Sequence, residues 1–149
     1  MNLEQYSQPL ERDETPLRTI LTLNPRDSKK GRLFMPVYDA RFPPSPEFSD
    51  LPFVYVSQFL EKNNASGNHY PRRKREILIP LHGKFEFHFE NIETKERSIF
   101  TIDASIEYKA VIVPLLVSHK IISLDDTGSL LVLASTPSSL DDEIEYSVD

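Results

Sequence analysis

The sequence predicts an all-β domain of the sandwich or barrel kind. Three observations predict it: prolines outnumber glycines twelve to four, the large aromatics are nine Phe and six Tyr with no Trp, and short apolar or alternating runs recur along the chain. Strand-favouring aromatics separated by proline-bearing loops mark many short strands and disfavour long helices. At 149 residues the chain has the length of one domain and can bury well over half of its unfolded surface.

Taken in order, residues 1–16 mix polar and charged side chains with Pro9 and Pro16 and hold no sustained period. They read as a flexible N-terminal arm, of a kind that can also swap onto a partner, ahead of a folded domain over 17–149. Strands are expected at Leu17 to Leu23, Leu33 to Tyr38, Phe53 to Phe59, Glu76 to Leu81, Lys84 to Glu90, Ser98 to Ile102, Ala110 to Pro114 and Leu130 to Ala134. The clearest is Lys84 to Glu90. There Phe85, Phe87 and Phe89 share one face, the core face, and Glu86, His88 and Glu90 share the other. The polar turn formers Asn91 to Lys95 then make an antiparallel hairpin with Ser98 to Ile102. Arg41 to Pro52 carries four prolines, which donate nothing to a strand ladder, so it is expected as a loop at the rim of a pocket. The acidic tail Asp141 to Asp149 is expected as a frayed turn.

A net charge of −6 opposes the phosphate neutralisation that drives nucleic-acid binding. No apolar run approaches the ~20 residues needed to cross a bilayer, and the N-terminus is polar and acidic, so a cytoplasmic protein without membrane insertion is expected. With no cysteine, disulfides, thiolate nucleophiles and Cys-bound zinc are excluded; a metal would have to use His, carboxylate and water. The chemistry narrows to four histidines and their neighbours. Neither a phosphate-cradling Gly-rich loop nor a Gly-x-Ser-x-Gly elbow is present, so nucleotide hydrolysis and serine-esterase chemistry have no support.

The informative stretch runs from Gly67 to Gly83, GNHYPRRKREILIPLHG, with PLLVSH at Pro114 to His119. It resembles the cupin superfamily. His69, Glu76 and Gly83 fall on that superfamily's first motif, Pro114 and His119 on its second, with Pro71 in place of a second histidine and Leu116 in place of a glycine. The resemblance implies a double-stranded β-helix, the jelly-roll barrel. Within the superfamily, GNHYPRRKREILIPLHGKFEF, PLLVSHKI and LLVLASTPSSLDDEIEY look like the WxcM-like thymidine-diphosphate-sugar 3,4-ketoisomerases. They are also similar to the cupin domain of capsular polysaccharide assembly proteins. The resemblance covers roughly residues 31–146. In the ketoisomerases the pattern is Arg-Gly-x-His-x-His, and the histidine pair moves protons between C3 and C4 of a keto sugar without a metal. Here His69 matches the first histidine, while Ser66 and Pro71 replace the arginine and the second histidine.

Residues an even number apart in a strand share a face, so His69 before a turn, Glu76 at the next strand's start and His119 from another strand can converge inside a barrel. Two neutral imidazoles and a carboxylate form a facial set for one divalent iron, manganese, nickel or zinc ion. The bland alternative makes His69 a loop residue, pairs Glu76 with one of Arg72, Arg73, Lys74 or Arg75, and leaves His119 as a hydrogen-bonded barrel residue. As a proton-transfer site, His69 is the base or acid, because an imidazole titrates near neutrality, and Tyr70, Glu76 or His119 stands in for the missing second histidine. Asn68, Tyr70, Arg72 and Arg73 are expected against the ligand, the arginines near a diphosphate. Tyr38, Phe42 and Tyr55 are either core or stacking residues, His82 is a strand-end residue, and His88 lies on the solvated face. The expectation is a sugar-nucleotide isomerase or epimerase of surface-polysaccharide synthesis with no cofactor, acting as a homodimer. Its rivals are a non-catalytic sugar-binding assembly module and a metal-dependent small cupin.

Overall fold

The computed structural model describes residues 7–51, 53–136 and 143–148. Among them run thirteen strands: β1 Glu11–Thr15, β2 Arg18–Thr22, β3 Arg26–Lys29, β4 Arg32–Phe34, β5 Phe53–Phe59, β6 Ala65–Pro71, β7 Glu76–His82, β8 Lys84–Asn91, β9 Arg97–Asp103, β10 Lys109–Val113, β11 Val117–Ser123, β12 Gly128–Ala134 and β13 Glu143–Glu145. A 3₁₀ turn spans Pro46–Phe48.

The strands form a six-stranded sheet in the order β1-β2-β10-β7-β12-β5, a five-stranded sheet in the order β13-β6-β11-β8-β9, and the small β3-β4 ribbon. Every ladder is antiparallel. The jelly-roll expectation therefore holds, with one refinement: two open sheets face each other, rather than one sheet closing into a ring. Their inner faces make the main core. Phe85, Phe87 and Phe89 from β8 meet Phe59, Leu78, Val111, Val113, Ile121, Leu130 and Val132, and the three phenylalanines are fully buried, as the alternation of β8 requires. The β8–β9 hairpin turns where expected, with Asn91 Oδ1 accepting from the N–H groups of Glu93 and Thr94.

A second core lies on the outer face of the larger sheet. Leu21, Ile77, Ile79, Ala110, Ile112 and Leu133 are covered there by Phe48, Met35, Val37, Tyr38 and Leu51. The proline-rich segment covers this outer face through Phe48 and Leu51 and, as expected, is a loop at the rim of a pocket, the outer-face cavity lined by Phe42, Pro43 and Pro44. Because both of its faces are covered, β7 is buried over five successive residues, the pattern of a two-sided strand.

Three expectations are corrected. The N-terminal arm ends earlier than residue 16: Glu11–Thr15 pairs with β2 along its whole length, and its five residues are all exposed, so backbone pairing and not burial defines it. Residues 1–6 lie outside the described residues. The acidic tail is not a frayed turn over 143–148, since β13 adds to β6 and Val148 is buried; Asp141, Asp142 and Asp149 lie outside the described residues. Of Leu33 to Tyr38 only Leu33 and Phe34 are in a strand, because Met35 to Tyr38 leaves the β3–β4 ribbon to cover the outer face.

Candidate functional site

His69, Glu76 and His119 meet between the two sheets, at the ends of β6, β7 and β11. The atoms they offer for ligation all lie within 4.8 Å of one another. His69 and His119 face each other directly across the β6–β11 ladder, with ring centroids 5.0 Å apart and nearly perpendicular planes. Two sequence features fix that pairing. Gly67 has φ +102°, and a Cβ there would stand 2.2 Å from the His119 carbonyl oxygen; only glycine lets β6 approach β11 so closely. Asn68 also has a positive φ, +59°, tolerated by its short polar side chain. The ladder shifts register between His119 and Lys120, which re-aims side chains at this end of the sheet.

Burial divides the two imidazoles. His69 is half-buried, whereas His119 is 3 % exposed, packed against Phe89 with centroids 5.9 Å apart. Removal from water pushes the His119 pKa down to about 4, helped by the nearby His69 and Lys74 and opposed by Glu76. It is therefore neutral at physiological pH. Glu76 is buried and held at both carboxylate oxygens: Oε1 lies 3.4 Å from the Lys74 ammonium, and Oε2 accepts from the Tyr55 hydroxyl at 3.2 Å.

A cavity of about 100 Å³ opens onto this cluster, lined by Tyr55, Ser57, Ser66, Gly67, His69, Glu76, His119 and the apolar floor Leu78, Ile121, Leu130 and Val132. A void of ~150 Å³ holds one benzene, so this one admits an edge of a sugar ring and leaves the rest of a larger ligand in the mouth. Another concavity, of about 180 Å³, holds a single histidine, the exposed strand-end His82, and two larger still contain no histidine. One, of about 260 Å³, lies on the outer face of the larger sheet and includes Tyr38 and Phe42; the other, of about 530 Å³, lies along β1, β2 and β9. The reactive groups decide in favour of the small cavity.

The other expected ligand residues are not brought into the cluster. Tyr70 alternates to the opposite face of β6, is buried, and meets the Tyr146 ring at 6.3 Å. Asn68 clamps the C-terminal segment, accepting from Val148 N–H through Oδ1 and from Tyr146 N–H through its carbonyl. Arg72 and Arg73 are exposed on the β6–β7 turn, and Arg75 pairs with Glu47 at 3.0 Å. His82 is exposed at the end of β7 beside Thr127, and His88 bonds Glu86 on the outer face of β8. The pairing of Glu76 with a basic neighbour and the His–Glu–His cluster, posed as rivals in the sequence, coexist.

Two residues of the cluster escaped the sequence reading in these roles. Tyr55 carries a weak signal: Phe53, Tyr55, Ser57 and Phe59 alternate onto the inner face of β5. The signal for Lys74 is its place two residues before Glu76 at the entrance to β7, where it is buried beside that carboxylate while Arg75 pairs with Glu47.

For the metal, donor types and spacing suit a divalent ion, but the carboxylate is already engaged by a buried ammonium and a phenol. As built, the residues do not fit one.

A small β-domain of two facing antiparallel sheets, with imidazoles and a carboxylate gathered between them, is of the cupin class. Residues 20–147 match the family model described as FdtA: WxcM-like, C-terminal, and the chain belongs to that family. No curated protein matches its sequence. Among solved structures it is similar to QdtA, a sugar 3,4-ketoisomerase from Thermoanaerobacterium thermosaccharolyticum in complex with TDP. That likeness has a TM-score of 0.71 at 20% identity, covering 85% of this chain and 86% of that one. It is also similar to NovW, a 4-keto-6-deoxy sugar epimerase of Streptomyces spheroides (TM-score 0.74, 13% identity, 91% of this chain and 72% of that one). The dTDP-4-dehydrorhamnose 3,5-epimerase of Sulfolobus tokodaii is similar to the same degree (TM-score 0.74, 14% identity, 91% and 81%).

Proposed function

We propose that the protein is an isomerase or epimerase acting on a TDP-linked 4-keto-6-deoxy sugar, with His69 as the proton carrier. The observation that carries this reading is a half-buried imidazole opening onto a small cavity that also holds a phenol, beside a second imidazole kept neutral by burial. Membership of the family and the likeness to TDP-sugar ketoisomerases and epimerases support the substrate class.

The chemistry follows from the ketone at C4, which acidifies the neighbouring C3–H. His69 takes that proton, the C–H electron pair becomes the C3–C4 double bond, and the O4 enolate accepts a hydrogen bond or proton from Tyr55. With O4 protonated by Tyr55, delivery of the His69 proton to C4 and passage of the O3 proton to the Tyr55 phenolate complete a 3,4-ketoisomerisation; an epimerisation at C3 would instead need a second proton donor on the face opposite His69. Glu76 aligns the Tyr55 hydroxyl, and His119 backs His69 as a neutral wall. Since the cavity takes only the sugar's reacting edge, the nucleotide lies in the mouth, where Arg72 and Arg73 on the β6–β7 turn approach its diphosphate.

We place the protein in the cytoplasm, in surface-polysaccharide synthesis. We also propose a homodimer, supported by the edge strand β5, which leaves Val54 and Val56 exposed. Among the described residues no helix is long and apolar enough to cross a membrane.

The test is incubation with TDP-4-keto-6-deoxyglucose in D₂O, followed by NMR at C3 and C4. Deuterium entering C3 or C4 is expected from the wild-type chain and absent from His69→Asn. A second reading, a sugar-binding assembly module without turnover, draws on Pro71: among the described residues the cavity has two lining imidazoles, but the only other one beside half-buried His69 is His119, which is almost fully buried. Binding of the TDP sugar with no exchange would establish that reading instead.

A further inference from the structure

Lys74 is a lysine with 1 % of its surface exposed, in a position where lysine is rarely found unless paired. Its ammonium stands 3.4 Å from Glu76 Oε1, and Glu76 in turn lies in the cluster with two imidazoles. We infer that Lys74 is the built-in cation of this cluster, filling the charge position a divalent transition ion would claim, and that His69, Glu76 and His119 form a latent metal site uncovered by its removal.

The donor set is one that zinc, nickel, manganese or iron accepts, two imidazole nitrogens and a carboxylate oxygen. His119 Nδ1 is fully buried and has no hydrogen-bond partner, an atom with an open valence for a proton donor or an ion. Ligand atoms bound tetrahedrally to one ion at about 2.1 Å stand about 3.4 Å apart. The three residues, within 4.8 Å of one another, reach that by side-chain movements of about 1 Å. The ammonium opposes it: an ion entering between the imidazoles would face a buried like charge a few ångströms away, where solvent screens little. Lys74 also satisfies the anion that would otherwise attract the ion.

The arrangement is built by the chain and not by chance of a long side chain. Lys74 and Glu76 are two apart where the chain enters β7 and both are buried, while Arg75 between them pairs with Glu47. Substituting Lys74 by methionine keeps the length and apolar stem and deletes the charge. It leaves a buried carboxylate beside two imidazoles with nothing to balance it.

Purified wild-type chain and the variant Lys74→Met are titrated with Zn²⁺ and Ni²⁺ by calorimetry, with bound metal measured after desalting. The wild-type chain is expected to keep less than a stoichiometric amount, and Lys74→Met to bind one ion per chain at least roughly 10–100-fold more tightly. The double variant Lys74→Met/Glu76→Gln should lose that gain. Since Lys74→Met leaves an unbalanced anion and can unfold, its melting is followed with and without Zn²⁺; folding or stabilisation that depends on the ion supports the inference. Stoichiometric metal in the wild-type chain, a Lys74→Met protein with neither tighter binding nor metal-dependent stabilisation, or an undiminished gain in the double variant overturns it. None of these readouts involves the sugar, so this inference and the proposed reaction stand or fall separately.

Discussion

His69 and His119 are the same residue type placed opposite each other on neighbouring strands and both line the cavity, yet His69 is half-buried and His119 almost fully buried. His69→Asn should therefore lower turnover by about 10²–10⁴-fold, the usual worth of a positioned acid or base, with a melting temperature within a few degrees of wild type. A large drop in melting temperature would make His69 structural. Tyr55→Phe should lower turnover less, because an enolate loses one donor while the base remains. Glu76 behaves differently. Glu76→Gln leaves the Lys74 ammonium buried without its carboxylate, a change that typically costs about 3–5 kcal/mol. The double variant Lys74→Met/Glu76→Gln removes both charges and should recover much of that loss, which urea denaturation of the three proteins would show.

At the scale of the strands, the cluster depends on β6, whose position is set by its neighbours. Gly67→Ala would drive a Cβ into the His119 carbonyl and force a positive φ on alanine. It should destabilise the fold by roughly 1–3 kcal/mol and pull His69 out of line, so that activity falls even at temperatures where the chain stays folded. On its other edge β6 carries β13, and the segment that follows is tied down by Tyr146, whose hydroxyl donates to the buried Glu90 carboxylate. That bond, with the Arg97 guanidinium, holds the Glu90 pKa below its usual value against the effect of burial. A lowered folded-state pKa means stability fully present above the unfolded value of ~4.3 and lost as pH falls through the folded one. Tyr146→Phe should cost about 1.5–3 kcal/mol at neutral pH, the range for a bond to a charged group, and the gap from wild type should close in acid. The same elements show what a sequence can reveal. β8 is legible because Phe85, Phe87 and Phe89 alternate with polar residues. β6, ASGNHYP, is not: its Gly, Asn and Pro signal a turn, and it is a strand because β11 and β13 pair with it from distant parts of the chain. His69, Glu76 and His119 were readable as a set, since motif spacing reports which strand ends converge. The burial of Lys74 was not, since a run of four basic residues reads as solvated until its tertiary partner is known.

For the whole molecule, net charge works against the anionic ligand proposed. A chain of net charge −6 repels a nucleoside diphosphate at long range, so binding must come from local donors and be sensitive to them. TDP at about 100 times its dissociation constant should stabilise the folded state by ~2.7 kcal/mol. For a domain of this size that corresponds to a rise in melting temperature of about 5–10 °C. His69→Asn should keep this shift, because the imidazole meets the sugar and not the nucleotide. The variant Arg72→Ala/Arg73→Ala should lose most of it, and added salt should shrink the wild-type shift by screening the guanidinium–phosphate attraction. UDP and ADP at the same concentration separate recognition of the base from recognition of the diphosphate: a smaller shift with both identifies a thymine-selective mouth. If TDP leaves the melting temperature unmoved while the protein remains folded, the TDP-linked substrate is wrong whatever His69 does.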